Sequence, residues 1–123
     1  MRIYIYAPYR GENSDIIALN VLRAVEIAER LAKNGFWDTF IPHLYCYWDN
    51  KYEHPHEFWM KKCLAEVRRS DVLVGCGVIT EGCSQEVEEA RVRGIPVYNT
   101  VDEFLKDYNV AKEFARKNFG IGD

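Results

Sequence analysis

Two short stretches hold the side chains with most capacity for chemistry. One is Arg10-Gly11, directly after an alternating apolar run that ends in Tyr6; the other is Thr80-x-Gly82-x-x-x-Glu86, downstream of the apolar Val72-Leu73-Val74. An arginine offers a planar fork to phosphate, glycines let backbone N–H groups approach an anion, and a helix start adds positive partial charge. Glu86, read in the first turn of a helix, is expected to have a stabilised carboxylate and a lowered pKa, which suits a nucleophile better than a proton donor. Tyr6, Arg10 and Gly11 from the first stretch and Gly75, Gly77, Thr80, Gly82 and Ser84 from the second thus suggest a phosphate-bearing small ligand beside a nucleophilic acid.

Each feature also has a plainer meaning. Glycines after a buried strand often only make the turn, an arginine is often a solvated charge, and an acid near a helix start often serves only the dipole. Metals and cofactors fit less well. His54, His56 and Glu57 cluster, with His43 not far off, but a rigid His-Pro-His spacing rarely brings both rings to one ion and no cysteine lies at a supporting interval. Cys46, Cys63, Cys76 and Cys83 form no Cys-x-x-Cys pair and read as reduced thiols. Gly75-x-Gly77 with a late third glycine at Gly82 departs from the dinucleotide fingerprint, so no cofactor is expected.

The elements that must position these residues follow from periodicity. Ile3, Ile5 and Ala7 alternate with Tyr4 and Tyr6 as a first strand that stops at Pro8. Helical spacing runs from Ser14 or Asp15 to an Asn34-Gly35 stop. Phe36 to Ile41 reads as a second strand, 42–54 as an aromatic-rich loop, and Pro55 to Ser70 as a helix. Val72–Val74 is a central, doubly covered strand, followed by a loop over 75–82, a helix carrying Glu86 to Arg93, and a fourth strand, Ile95–Tyr98. Thr100 and Glu103 have capping-box spacing and open one or two final helices. Strands alternating with helices imply a parallel sheet wound by right-handed crossovers, a flavodoxin-like or Rossmann-like three-layer α/β sandwich, here as one domain over 1–123. Ligands in such sheets bind beyond the carboxyl ends of the strands at the switch point, where the 7–13 and 75–84 loops would meet.

Totals narrow the partner. Sixteen Lys and Arg against nineteen Asp and Glu give a net charge of −3, without the broad positive field that condenses a protein on nucleic-acid polymers. The start carries no signal-peptide pattern and no apolar stretch reaches bilayer length, so a cytoplasmic protein with no membrane partner is expected.

In order and spacing, Ile3-Tyr4-Ile5-Tyr6-Ala7-Pro8-Tyr9-Arg10-Gly11, then Pro42-His43-Leu44, then Thr80-x-Gly82-x-x-x-Glu86 with Ala90 and Gly94-Ile95-Pro96-Val97, resemble the nucleoside 2-deoxyribosyltransferase superfamily. The resemblance implies that Glu86 attacks the anomeric carbon of a deoxyribonucleoside or its monophosphate, and that the glycosyl-enzyme is resolved by another base or by water. It also implies that Tyr4 orients Glu86, that Arg10 and Gly11 bind substrate or phosphate, and that copies of the chain assemble as a homo-oligomer. Thr80 replaces the serine of that motif and keeps its hydroxyl. Cys63 stands where the family commonly has an aspartate that serves the leaving base, so a substitute is needed, from Glu66 or from His54-Pro55-His56-Glu57. His43, after Pro42, is expected to touch a ligand base or sugar. Tyr45, Tyr47, Trp48, Tyr52, Phe58 and Trp59 read as a mixture of base-stacking wall and core or subunit contact.

The reading is an N-glycosidic bond transferase or hydrolase acting through Glu86. Its alternative is a catalytically silent domain of the same fold that binds or senses a nucleotide, motivated by Cys63. A purely structural assembly domain is the third possibility.

Overall fold

The first strand, β1 (Ile3–Tyr6), divides the interior in two. Its side chains alternate across the sheet. Ile3 and Ile5 join a core with Ala24, Leu31, Val74 and Phe104, while Tyr4 and Tyr6 join a second core with Cys63, Val67, Leu73, Val87 and Ala90. The computed structural model that shows this describes residues 1–78 and 80–121; Ile79, in the predicted 75–82 loop, lies outside the described residues.

The helices follow their sequence signals. Helix α1 (Ser14–Lys33) starts where the Asn13 side chain accepts from the Ile16 N–H, and ends at Gly35, whose φ of +92° favours glycine. Strand β2 is shorter than predicted, pairing only at Thr39–Phe40. Phe36, read as strand, instead lies before the paired segment and sends its ring edge-on to Phe104 and Tyr108 at 5.0 and 4.7 Å between centroids, where it is buried in the core. The predicted loop at 42–54 contains a 3₁₀ turn (Pro42–Tyr45) and a short helix, α2 (Cys46–Lys51). Helix α3 (His56–Arg68) and strand β3 (Val72–Gly75) follow as expected. Helix α4 spans Glu81–Val92, so it begins five residues before Glu86. Strand β4 pairs at Val97–Tyr98, and one long helix, α5 (Val101–Phe119), closes the chain, its Thr100 hydroxyl accepting from the Glu103 N–H.

The sheet is all-parallel with order β2-β1-β3-β4. The two cores give it helices on both faces, α1 and α5 against the Ile3–Ile5 side and α3 and α4 against the Tyr4–Tyr6 side. The result is a mixed α/β fold compatible with a three-layer sandwich. Because β2 and β3 flank β1 on opposite sides, successive crossovers diverge at the carboxyl ends of β1 and β3, where a crevice opens.

No helix is long and apolar enough to cross a membrane among the described residues.

Candidate functional site

A cavity of about 340 Å³ occupies that crevice. Ala7 to Arg10 enter it from the end of β1, Pro42 and His43 from the 3₁₀ turn, Trp59 and Cys63 from α3, and Thr80, Gly82 and Glu86 from the start of α4. The volume is that of a small-molecule site.

Glu86 is the best-defined group in it. It sits in the second turn of α4, not the first, since the helix already starts at Glu81. The expectation of a dipole-lowered pKa is therefore overturned. Burial of the carboxyl dominates and lifts its pKa to about 7, while the hydrogen bond from Tyr4 pulls it down. The Tyr4 hydroxyl donates to Oε2 of Glu86 across 82 residues of sequence. Tyr4 is wholly buried under the stacked ring of Phe40, and its own pKa is raised well above the ordinary tyrosine value, first by burial and then by the neighbouring Glu86. It thus remains a proton donor to the carboxylate, holding one oxygen and leaving Oε1 for other work.

Arg10 lines the same cavity, and its guanidinium lies 3.2 Å from Nδ1 of His56, the first residue of α3. The carboxylate at 86 and Arg10 therefore face one space. Gly11 itself is outside the lining. A Cβ there would come within 2.3 Å of the Ile16 side chain, so its smallness lets the loop fold onto α1.

Tyr6 also points away. Its hydroxyl donates to Tyr98 O or Asn99 Oδ1, both at 3.1 Å, and its ring lies so close to Gly75 that any Cβ there would meet it at 2.5 Å. Gly77 gives its N–H to Asn99 O at 2.6 Å. Gly75 thus makes room for the Tyr6 ring and Gly77 ties the chain after β3 to the chain after β4; neither lines the cavity. Ser84 hydrogen-bonds back to Glu81 O and is exposed.

His43 reaches the cavity wall with one of its two ring nitrogens already bound. Its Nε2 lies 2.9 Å from Ala7 O and 3.2 Å from Pro8 O. Both partners are acceptors, so Nε2 carries the proton and donates, pinning the turn that leads to Arg10. Burial lowers its pKa and keeps the ring neutral, and Nδ1 is buried without a partner among the described residues.

Thr80 precedes α4 and uses its hydroxyl on Cys83 Sγ at 3.3 Å rather than on a backbone N–H. Gly82 has only Thr80 Oγ1, at 3.7 Å, near the position of a missing Cβ, so its lack of a side chain keeps that wall of the cavity low.

The groups considered as stand-ins for an acid at Cys63 separate clearly. Glu66 turns away to Arg2 and Arg69 at 2.5 and 2.9 Å. His54 stacks on Phe58, 4.0 Å between centroids. His56 alone of that segment joins the cavity, and Cys63 does so as a thiol whose burial lifts its pKa to about 11.

Two lining acids carry no signal in the sequence analysis, Asp49 and Glu81, the latter the first residue of α4. Asp49 sits on α2, inside the stretch read as loop, where a lone aspartate between aromatics gave no periodic signal. Of the aromatic group, Tyr45 and Trp59 form cavity wall, whereas Tyr47 and Tyr52 are exposed. Among the described residues no cluster of three or more His, Cys, Asp or Glu side chains could hold a metal ion.

Chemically, the site combines a carboxyl group poised between its two protonation states, a phenol that orients it, an arginine at the mouth and an aromatic wall. Comparison of the chain with protein-family models, with curated proteins and with solved structures finds no significant match in any of the three.

Proposed function

We propose that this protein cleaves or transfers the N-glycosidic bond of a nucleoside or nucleoside monophosphate through Glu86, on a flavodoxin-like winding of its sheet. The observation that carries the proposal is the Tyr4-held Glu86 carboxyl lining a small-molecule cavity that Arg10 also enters. In the reaction, Oε1 of Glu86 forms a bond to the anomeric carbon as the carbon–nitrogen bond breaks and the base leaves with the electron pair. Water or a second base then takes the glycosyl group from the carboxylate. Arg10 supplies charge for a phosphate, and Tyr45 and Trp59 supply faces against which a base stacks. Sequence resemblance to the nucleoside 2-deoxyribosyltransferases supports the same roles for Glu86, Tyr4 and Arg10. By that resemblance the working form is a homo-oligomer, and the reading of its four cysteines as reduced thiols suits the cytoplasm.

A catalytically silent nucleotide sensor is the second reading, favoured by one observation: the cavity thiol of Cys63 is a weak acid at neutral pH. Incubation with a panel of nucleosides and monophosphates distinguishes the two. The enzyme releases free base, and Glu86→Ala binds the same compounds, seen as a raised Tm, without releasing base. A sensor gains stability from a nucleotide and leaves it intact. No release by the wild-type protein, or equal release by Glu86→Ala, contradicts the proposal.

A further inference from the structure

We infer that Asp49 is the residue that reads the base, accepting a hydrogen bond from an N–H donor on its edge; the inference rests on the glycosidic reading of the cavity given above. Asp49 lines the cavity together with Trp59 and Tyr45. Its Oδ1 is fixed from two directions, by the indole N–H of Trp59 at 2.7 Å and by the backbone N–H of His54 at 3.2 Å. Among the described residues Oδ2 has no hydrogen-bond partner, although Oδ1 has two. A carboxylate held by one oxygen against a cavity wall presents the other as an acceptor of set direction, the preorganisation that specific recognition requires.

The wall that holds it decides what it meets. Trp59, which donates to Asp49, is also an aromatic face of the cavity, and Tyr45 lies beside it with ring centroids 5.3 Å apart. The indole N–H donates to Asp49, so the carboxylate borders the edge of the ring on which a base would stack. The acceptor accordingly selects exocyclic amines or ring N–H groups and opposes carbonyl oxygens, whose lone pairs it would face. Glu66 is taken up by arginines, and the Cys63 thiol is a weak hydrogen-bonding group, so neither competes for this role.

The test compares bases that differ by one amino group: 2′-deoxyadenosine with purine 2′-deoxyriboside, 2′-deoxycytidine with its 4-deamino analogue, and 2′-deoxyguanosine with 2′-deoxyinosine. For wild-type protein, kcat/KM is expected to favour the amino-bearing member of at least one pair by about tenfold to a hundredfold, the range of a charge-assisted hydrogen bond. In Asp49→Asn, which keeps an oxygen for Trp59 and His54 but turns an amide donor toward the ligand, that ratio falls to near one or inverts. Asp49→Ala shows the same loss, and thermal melts of both variants report whether the wall stays folded. Binding of the paired compounds to Glu86→Ala, followed by tryptophan fluorescence, provides the ratio without turnover. Base release through Glu86 with no discrimination within any pair, or with a ratio that survives Asp49→Asn, overturns the role of Asp49 and leaves the glycosidic reading standing. Absence of both binding and release for every compound overturns the two together.

Discussion

At the scale of single residues, the central object is a carboxyl group whose surroundings oppose each other. Burial raises the Glu86 pKa to about 7, and Tyr4 restrains the rise. A nucleophilic carboxylate must be ionised, so kcat/KM should climb with pH through about 7 and level off above it, a limb that a pH series of initial rates resolves. Tyr4→Phe removes the restraining hydrogen bond. The limb then moves to higher pH, with activity at pH 7 reduced about tenfold or more and partly recovered at pH 9; a purely packing role for Tyr4 would lower the rate without moving the limb. Stability follows the opposite sign. The folded state binds the Glu86 proton more tightly than the unfolded chain, whose value lies near 4.5, so folding is favoured below that value and loses stability as pH rises toward 7. Glu86→Gln keeps an acceptor for Tyr4 and avoids the buried charge. It should raise stability by on the order of 2 kcal/mol at pH 8 and by almost nothing at pH 4, measured by denaturant unfolding at the two pH values.

At the scale of elements, what was legible depended on how strongly a segment repeats. The Ile-Tyr alternation of β1 and the capped span of α1 are periodic enough that their sequence pattern names them; Arg10 is legible because it follows β1, and Glu86 because its motif follows the apolar run of β3. The start of α4 was misjudged because Glu81-Gly82-Cys83-Ser84 combines a glycine with a serine and reads as loop, while Thr80 spends its hydroxyl on Cys83. That shift of one turn weakens the dipole argument for Glu86, and burial, which the sequence does not display, turns its pKa upward. Tyr6 is tied to the ligand only by its nearness in sequence, and Gly11 by that and by the family resemblance; tertiary packing shows that Tyr6 reaches β4 and that Gly11 packs against α1. Gly82 provides a test at this scale. Gly82→Ala meets no backbone obstacle and should add up to about 1 kcal/mol of helix stability. Its methyl group nevertheless enters the cavity, so nucleotide affinity should fall several-fold in a titration. Unchanged affinity would show that ligands avoid the α4 end of the site.

At the scale of the molecule, the sheet order β2-β1-β3-β4 is what brings residues 10, 49, 63 and 86 to one crevice. Alternating strand and helix signals were sufficient to anticipate a parallel sheet covered on both faces and a meeting of the loops after β1 and β3. The aromatic segment after β2 was not legible, because Pro42 and closely spaced Tyr and Trp residues mask the short helix that carries Asp49. Catalysis in this crevice requires a glycosyl group to pass through Glu86. Reaction with a 2′-fluoro nucleoside, in which the fluorine slows breakdown of the intermediate, followed by acid quench, proteolysis and mass analysis, examines this directly. A pentosyl adduct on the peptide containing Glu86, absent from Glu86→Ala, is the predicted result; base release with Glu86 unmodified, or an adduct on another residue, would contradict it.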